Sequence, residues 1–182
     1  MRYADTAAHK ALRERVAMRQ LRAICPDAPT YRPVKPTTIV LQPVTISPQA
    51  TWPDAGVWSE HLEGAGCSNG RQINILFAAQ GANQPPTGVT TFPGDSIANW
   101  FLQRHAFKPA VDAVVRKTDL TGCRGVIVAD TAVTDAPSST TGRHDAPDRW
   151  TEQWTFRACE VFVAVEVTFS ANASGGYDVS AK

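Results

Sequence analysis

No run of some eighteen apolar residues occurs in this chain, so no segment reads as a transmembrane helix. No apolar region follows Met1, so a secretory signal is not expected in this numbering. Walker and G-x-G-x-x-G glycine patterns are missing, and so is G-x-S-x-G. The usual sequence marks of a phosphate cradle and of a nucleophile elbow are therefore lacking. None of the four cysteines stands in a C-x-x-C pair, which argues against a zinc ribbon or a thioredoxin-like centre. No heptad and no internal repeat is read from the chain. Lysine is scarce, at positions 10, 35, 108, 117 and 182 only, so the basic residues are mostly arginine. With the abundant alanine, this is the composition of a high-GC bacterial chain.

A net charge of +1 gives the molecule no electrostatic footprint for nucleic acid. The charge is unevenly placed, however. Residues 1–35 carry eight Arg/Lys against three Asp/Glu, and residues 36–182 carry ten against fourteen. The basic N-terminal segment is expected to dock on an acidic surface: a protein partner or larger assembly, a lipid headgroup layer as a peripheral contact, or the rest of this chain. At 182 residues the chain is long enough to bury a core of its own.

The most strongly patterned stretch is Trp150–Phe169. Two period-2 runs meet at a short polar break, the pattern of a β-hairpin. Val161, Val163, Val165, Val167 and Phe169 share one face of the second run. Trp150, Glu152, Trp154 and Phe156 share a face of the first. Strands are also expected over 71–79 and 126–133. A core helix is expected over 96–117, capped by Asp95 or Ser96, kinked or divided in two at Pro109, and presenting Ile97, Trp100, Phe101, His105, Val111, Val114 and Val115. Upstream, Asp5–Ile24 reads as a helix capped by Thr6 or Asp5. Its apolar stripe is Leu12, Val16, Leu21 and Ile24, and Arg13, Arg15, Arg19 and Arg22 lie on the remaining surface. Prolines then recur through residues 31–53, with a short edge strand expected at Thr38–Leu41 and a helical turn at Trp58–Glu63. The resulting organisation is a basic helix (1–30), a proline-rich extended arm (31–63) and a core domain (64–182). The fold class is α+β: an antiparallel sheet of about four strands, 71–79, 126–133, 150–157 and 161–169, packed on one main helix.

Cys25, Cys67, Cys123 and Cys159 lie at or near turns, which suits disulfides and an oxidising compartment. Three connectivities are possible. Antiparallel pairing of 126–133 with 150–157 sets Val133 against Trp150 and Val126 against Arg157, which brings Cys123 within one step of the position opposite Cys159. Cys25 would then bridge Cys67. The competing reading is four buried thiols in a cytoplasmic protein.

Candidate chemistry is sparse. His9, His61, His105 and His144 are scattered. Glu60, His61 and Glu63 are close in sequence but converge poorly on a helix, so no metal site and no cofactor are expected. His105 reads as a hydrogen-bonded core histidine and His144 as a solvated loop residue. Glu152 lies among aromatics. If its face is buried, it needs a partner such as Arg71, Arg124 or Arg157. If the face is open, Trp150, Glu152 and Trp154 make a platform for a cation or a sugar. Asn172-Ala-Ser174 is a glycosylation sequon, meaningful only in a eukaryotic secretory host.

The pattern Trp150-Thr-Glu-x-Trp-Thr-x-x-x-Cys159, followed by a valine-alternating strand and Gly175-Gly176, resembles a group of uncharacterised bacterial secreted or envelope proteins. The Gly66-Cys67 turn and the segment from Cys123 to Asp130-Thr131 extend the resemblance over roughly residues 64–176. It implies export and structural cysteines, and no activity. The expected function is thus a non-enzymatic periplasmic or secreted accessory subunit or binding module, using Arg13, Arg15, Arg19, Arg22, Trp150, Glu152 and Trp154. The alternatives are a carrier with a cavity between helix and sheet, and a small hydrolase using His61, Glu60 or Glu152.

Overall fold

The computed structural model describes residues 6–24, 37–64, 71–82, 84–123, 125–138 and 147–182. The chain divides into two compact units, Met1–Thr91 and Phe92–Lys182. Each is a helix followed by a four-stranded antiparallel meander. The first holds α1 (Ala7–Ile24), β1 (Thr37–Thr45), β2 (Ala55–Gly64), β3 (Arg71–Ala78) and β4 (Thr87–Thr90), in sheet order β1-β2-β3-β4. The second holds α2 (Trp100–Lys117), β5 (Val126–Ser138), β6 (Arg149–Ala158), β7 (Val161–Ala171) and β8 (Tyr177–Ala181), in order β5-β6-β7-β8. The α+β class holds, but the single sheet does not: the strand at Arg71–Ala78 belongs to the first meander, not beside β5 to β7. The basic helix and the 37–64 segment fall within the first unit.

Alternation explains the first sheet. Trp58, Glu60 and Leu62 of β2 point inward, and Ile73, Ile75 and Phe77 of β3 join them in the core. The helical turn expected at Trp58–Glu63 is a strand because every second residue there is buried, a carboxylate included. Thr6 begins α1, its Oγ1 accepting the His9 backbone N–H at 3.2 Å. The helix packs on β3 and β4 through His9, Arg13, Ala17, Leu21 and Ile24, an i, i+4 row containing two charged types where an apolar stripe was expected. Leu12 and Val16 flank that row, half-buried.

In the second unit the aromatics come from the sheet. Trp150, Trp154 and Phe156 of β6 and Val165, Val167 and Phe169 of β7 are buried. They leave little room above them, so α2 offers its small face, Gln103, Ala106, Ala110, Ala113 and Val114. Of the expected stripe, Val114 is buried and Val111 and Trp100 are half-buried, but the rest is turned outward. Phe101 is 79% exposed, Val115 and Ile97 are exposed, and His105 is a surface residue rather than a core one. Asn99 caps α2, its side chain accepting Leu102 N–H at 3.1 Å. Asp95 and Ser96, the expected caps, are engaged elsewhere: Asp95 N–H donates to Thr131 O and Ser96 Oγ to Glu152. Pro109 lies inside an unbroken helix.

Cys123 and Cys159 form a disulfide with Cα atoms 5.6 Å apart. The β5–β6 register pairs Val126 with Ala158 and Ile127 with Arg157, one residue away from the expected pairing, and bulges follow at Val128/Asp130 and beyond. Such a bridge contributes ~2–4 kcal/mol. The Cys25–Cys67 pairing and His144 fall outside the described residues. Asn172 organises the β7–β8 turn, its Oδ1 accepting from Ser174 and Gly176 and its Nδ2 donating to Asp178.

The two units are alike in sequence as well as plan, contrary to the expectation of no repeat. One constant interval separates Trp58 from Trp150, Glu60 from Glu152, Ile73 from Val165, Ile75 from Val167, Phe77 from Phe169 and Cys67 from Cys159. Trp58 is paired with Phe77 and Trp150 with Phe169 across their strands. Both ring pairs stack, at centroid distances of 5.4 and 4.7 Å.

Candidate functional site

Each unit encloses one carboxylate on its second strand, two residues after a tryptophan. Both Glu60 and Glu152 have no exposed surface. An isolated buried carboxylate is expensive, so its donors must be accounted for. In the first unit, Glu60 Oε1 takes His9 Nε2 at 2.6 Å and the Trp58 indole N–H at 3.0 Å, and Oε2 takes Arg13 Nη1 at 3.4 Å. Burial by itself pushes this carboxyl up. The bond and charge of His9, the Trp58 indole and the Arg13 charge outweigh burial and hold it below the usual carboxylate value.

In the second unit no cation among the described residues takes part. Glu152 Oε1 accepts from Ile97 N, Ala98 N and Trp150 Nε1 at 2.9, 3.1 and 2.9 Å, and Oε2 accepts from Ser96 Oγ and Trp154 Nε1 at 2.8 Å each. The expected arginine bridge is thus replaced by two indoles, a hydroxyl and two backbone amides. Arg157 instead reaches Cys159 O and Glu160. The open platform of Trp150, Glu152 and Trp154 is also corrected, since all three are buried. Gly94 makes this arrangement possible. It has φ +93°, and a Cβ there would overlap the backbone N and O of Thr131, so only glycine lets the segment before α2 close on β5 and aim its amides at Glu152.

Glu60 and His61 point to opposite faces of β2, so the three-group cluster around them does not form. On the outer face, His61 instead meets Asn74 of β3, with Nδ1 to Oδ1 at 2.7 Å. Ser59 Oγ lies 3.5 Å from His61 Nε2. Gln72 Nε2 donates to Asn74 Oδ1 at 3.1 Å and also approaches His61 Nδ1 at 3.2 Å. The short Asn74 contact favours the tautomer with the proton on Nδ1, which leaves the Nε2 lone pair toward Ser59.

Of the basic residues read as a surface, Arg13 is buried against Glu60, while Arg15, Arg19 and Arg22 are exposed and form no hydrogen bond or ion pair among the described residues. They line a shallow hollow with Ala11, Glu14 and Met18. A polar concavity of about 440 Å³ lies on the outer face of the second sheet, between Asp135, Arg149, Thr151, Glu166, Thr168 and Ser180. The space between α2 and its sheet is filled by side chains. No helix among the described residues is long and apolar enough to cross a membrane.

Sequence reasoning missed His9 and Ser96 as carboxylate partners. The first had a signal: His9, Arg13 and Ala17 are spaced i, i+4, i+8, in line with Leu21, which marks a single helix face. Ser96 had none, because its hydroxyl is brought to Glu152 by the turn before α2, and the amides of Ile97 and Ala98 beside it leave no trace in a sequence. No protein-family model, curated protein sequence or solved structure matches the chain.

Proposed function

We propose that this chain is a non-enzymatic module of the bacterial cell envelope, periplasmic or secreted, that acts by binding a protein partner. The observation that supports this most is the use made of its acids. The two carboxylates best placed in the sequence for catalysis are sealed in the cores with every oxygen engaged, as structural groups. The exposed face of α1 meanwhile holds out three arginines. Guanidinium forks recognise carboxylates bidentately, so an acidic partner surface fits them. The Cys123–Cys159 bridge and the resemblance of residues 64–176 to secreted and envelope proteins support the compartment. In the repeat, Cys67 is the counterpart of Cys159. Affinity purification from the native host tests the reading. A defined protein should co-purify with the wild type and be lost with the triple variant Arg15→Glu, Arg19→Glu, Arg22→Glu at unchanged thermal stability. A small molecule in the purified protein, with no protein partner, would favour a carrier instead.

A second reading rests on the Ser59–His61–Asn74 alignment, which has the order of a nucleophile, a base and an orienting group. In a hydrolase His61 Nε2 would take the Ser59 proton. A fluorophosphonate probe decides: the binding reading expects no adduct, and an adduct lost in Ser59→Ala would replace it.

A further inference from the structure

We propose that the outer face of the second sheet binds a linear, uncharged oligosaccharide, which lies across the strands in a trough floored by Thr151, Thr168 and Ser180. The site does not rest on the function proposed above. Backbone register lines up Asp135 of β5, Thr151 of β6, Thr168 of β7 and Ser180 of β8 in one row that crosses the strands. All four line the concavity of about 440 Å³. Arg149 lies on one side of the row and the Glu166–Lys182 ion pair, 2.9 Å long, on the other. Short side chains along the row, with longer ones on both sides, make the trough. Its floor is deep enough that Thr151 is only 6% exposed.

The fold does not require hydroxyls there. The corresponding row of the first sheet is Ile39, Ser59, Leu76 and Val89, by the same register. All but Ser59 are apolar, and Ile39 and Val89 stand 47% and 41% exposed. On the same plan the second unit places a carboxylate and a run of hydroxyls, so this row is a property of the second sheet and not of the meander.

The chemistry of the row points to the ligand. A Thr or Ser hydroxyl gives one hydrogen bond and accepts others, as a sugar hydroxyl does. Thr151 Oγ1 and Thr168 Oγ1 lie 3.3 Å apart, so one donates to the other and both can still accept. The side chains of Asp135 and Arg149 form no hydrogen bond or ion pair among the described residues. They leave an acceptor and a donor fork open to neighbouring hydroxyls of one ligand. Glu166 is neutralised by Lys182, and Arg149 balances Asp135, so the trough favours neither an anion nor a cation. A polyhydroxylated ligand replaces water on these groups like for like, without stranding any of them. Neighbouring strands lie about 4.8 Å apart, close to the advance of an extended glycan per sugar, so the row accommodates roughly three sugars. It runs from one edge strand of the sheet to the other, as a linear chain requires.

Amide chemical shifts of the isotope-labelled full chain, titrated with chitotriose, cellotriose and maltotriose, test this. At least one of these sugars should give saturable shifts centred on Thr151, Thr168 and Ser180. Arg149→Ala and Asp135→Ala, both at exposed positions, should each weaken that binding about tenfold, the loss of one hydrogen bond to a charged group. Thr168→Leu, which gives the row the residue found in the first sheet, should abolish it. Arg19→Glu on α1 should bind as the wild type does, which keeps the result separate from the protein-partner reading. No saturable shift with any of the three sugars, shifts centred on another face, or unchanged binding in both alanine variants overturns the proposal. Saturation of the same residues by triglycine or inorganic phosphate in place of the sugars also overturns it, and assigns the trough to a zwitterion or an anion. If Thr168→Leu fails to fold, the two alanine variants decide.

Discussion

Glu60 and Glu152 occupy the same place in two copies of one plan, and they are kept there by different physics. In the first unit the helix reaches down with His9 and Arg13, so the carboxylate is held by charge. In the second the helix face is alanine-rich, and the approach to the helix supplies backbone amides while a second indole replaces Leu62. A buried carboxylate is therefore compatible with this fold in either of two ways: paired with cations, or surrounded by neutral donors. The two differ in what happens when the carboxylate is removed. The long Arg13 side chain, not wholly buried, can turn to other acceptors. Indole and backbone N–H groups fixed by packing cannot.

The largest effect follows from that difference. Glu152→Ala should abolish folding of the second unit, costing about 4 kcal/mol or more, since four fixed donors lose their acceptor at roughly 1–3 kcal/mol each. Amide exchange should show protection lost across β6 and β7. Retained protection would mean that the donors find other partners. Glu60→Gln should cost about 3 kcal/mol, the usual loss when one member of a buried pair is removed. Urea unfolding measures it, and its pH dependence sharpens the contrast. The Glu60 carboxyl is held below its ordinary value in the folded state, so the unfolded chain binds more protons in acid. Its stabilising contribution is complete above about pH 4.3, the unfolded reference, and is lost as pH falls through the lower folded value. The stability gap between wild type and Glu60→Gln should stay constant at neutral pH and narrow below that reference. A gap that widens in acid would reverse the assigned sign.

The disulfide ranks next. Cys123→Ser with Cys159→Ser should destabilise the second unit by about 2–4 kcal/mol, read as a fall in melting temperature. This bridge was legible in the sequence although the register was one residue off, because a bulge absorbs such an error and both sulfurs lie just past strand ends. The two sheets were only half legible. Their alternation was visible, but the assumption that β3 joins the later strands hid the repeat. Sliding the chain along itself sets Trp-x-Glu on Trp-x-Glu and Ile-x-Ile-x-Phe on Val-x-Val-x-Phe, which is enough to find it. The orientation of α2 was not legible. Its aromatics look like a core stripe until the sheet's own tryptophans and phenylalanines are seen to fill the space.

The smallest effect tests whether the two carboxylate sites depend on their helix starts to the same degree. Thr6 and Asn99 cap their helices alike, each accepting the N–H of the third helical residue. Thr6→Ala and Asn99→Ala should each cost about 1 kcal/mol if the cap acts only on its own helix. The sites attach differently, however. In the first unit the capped residue is His9 itself, so freeing its backbone also loosens the imidazole that holds Glu60. In the second, Ile97 and Ala98 are fixed independently by Gly94 and the Asp95–Thr131 bond. Thr6→Ala should therefore be the more costly of the two, and the excess should vanish when it is measured in a Glu60→Gln background. Equal costs in both backgrounds would show that His9 is positioned by Trp58 and Phe77, which lie against its ring, and not by the cap.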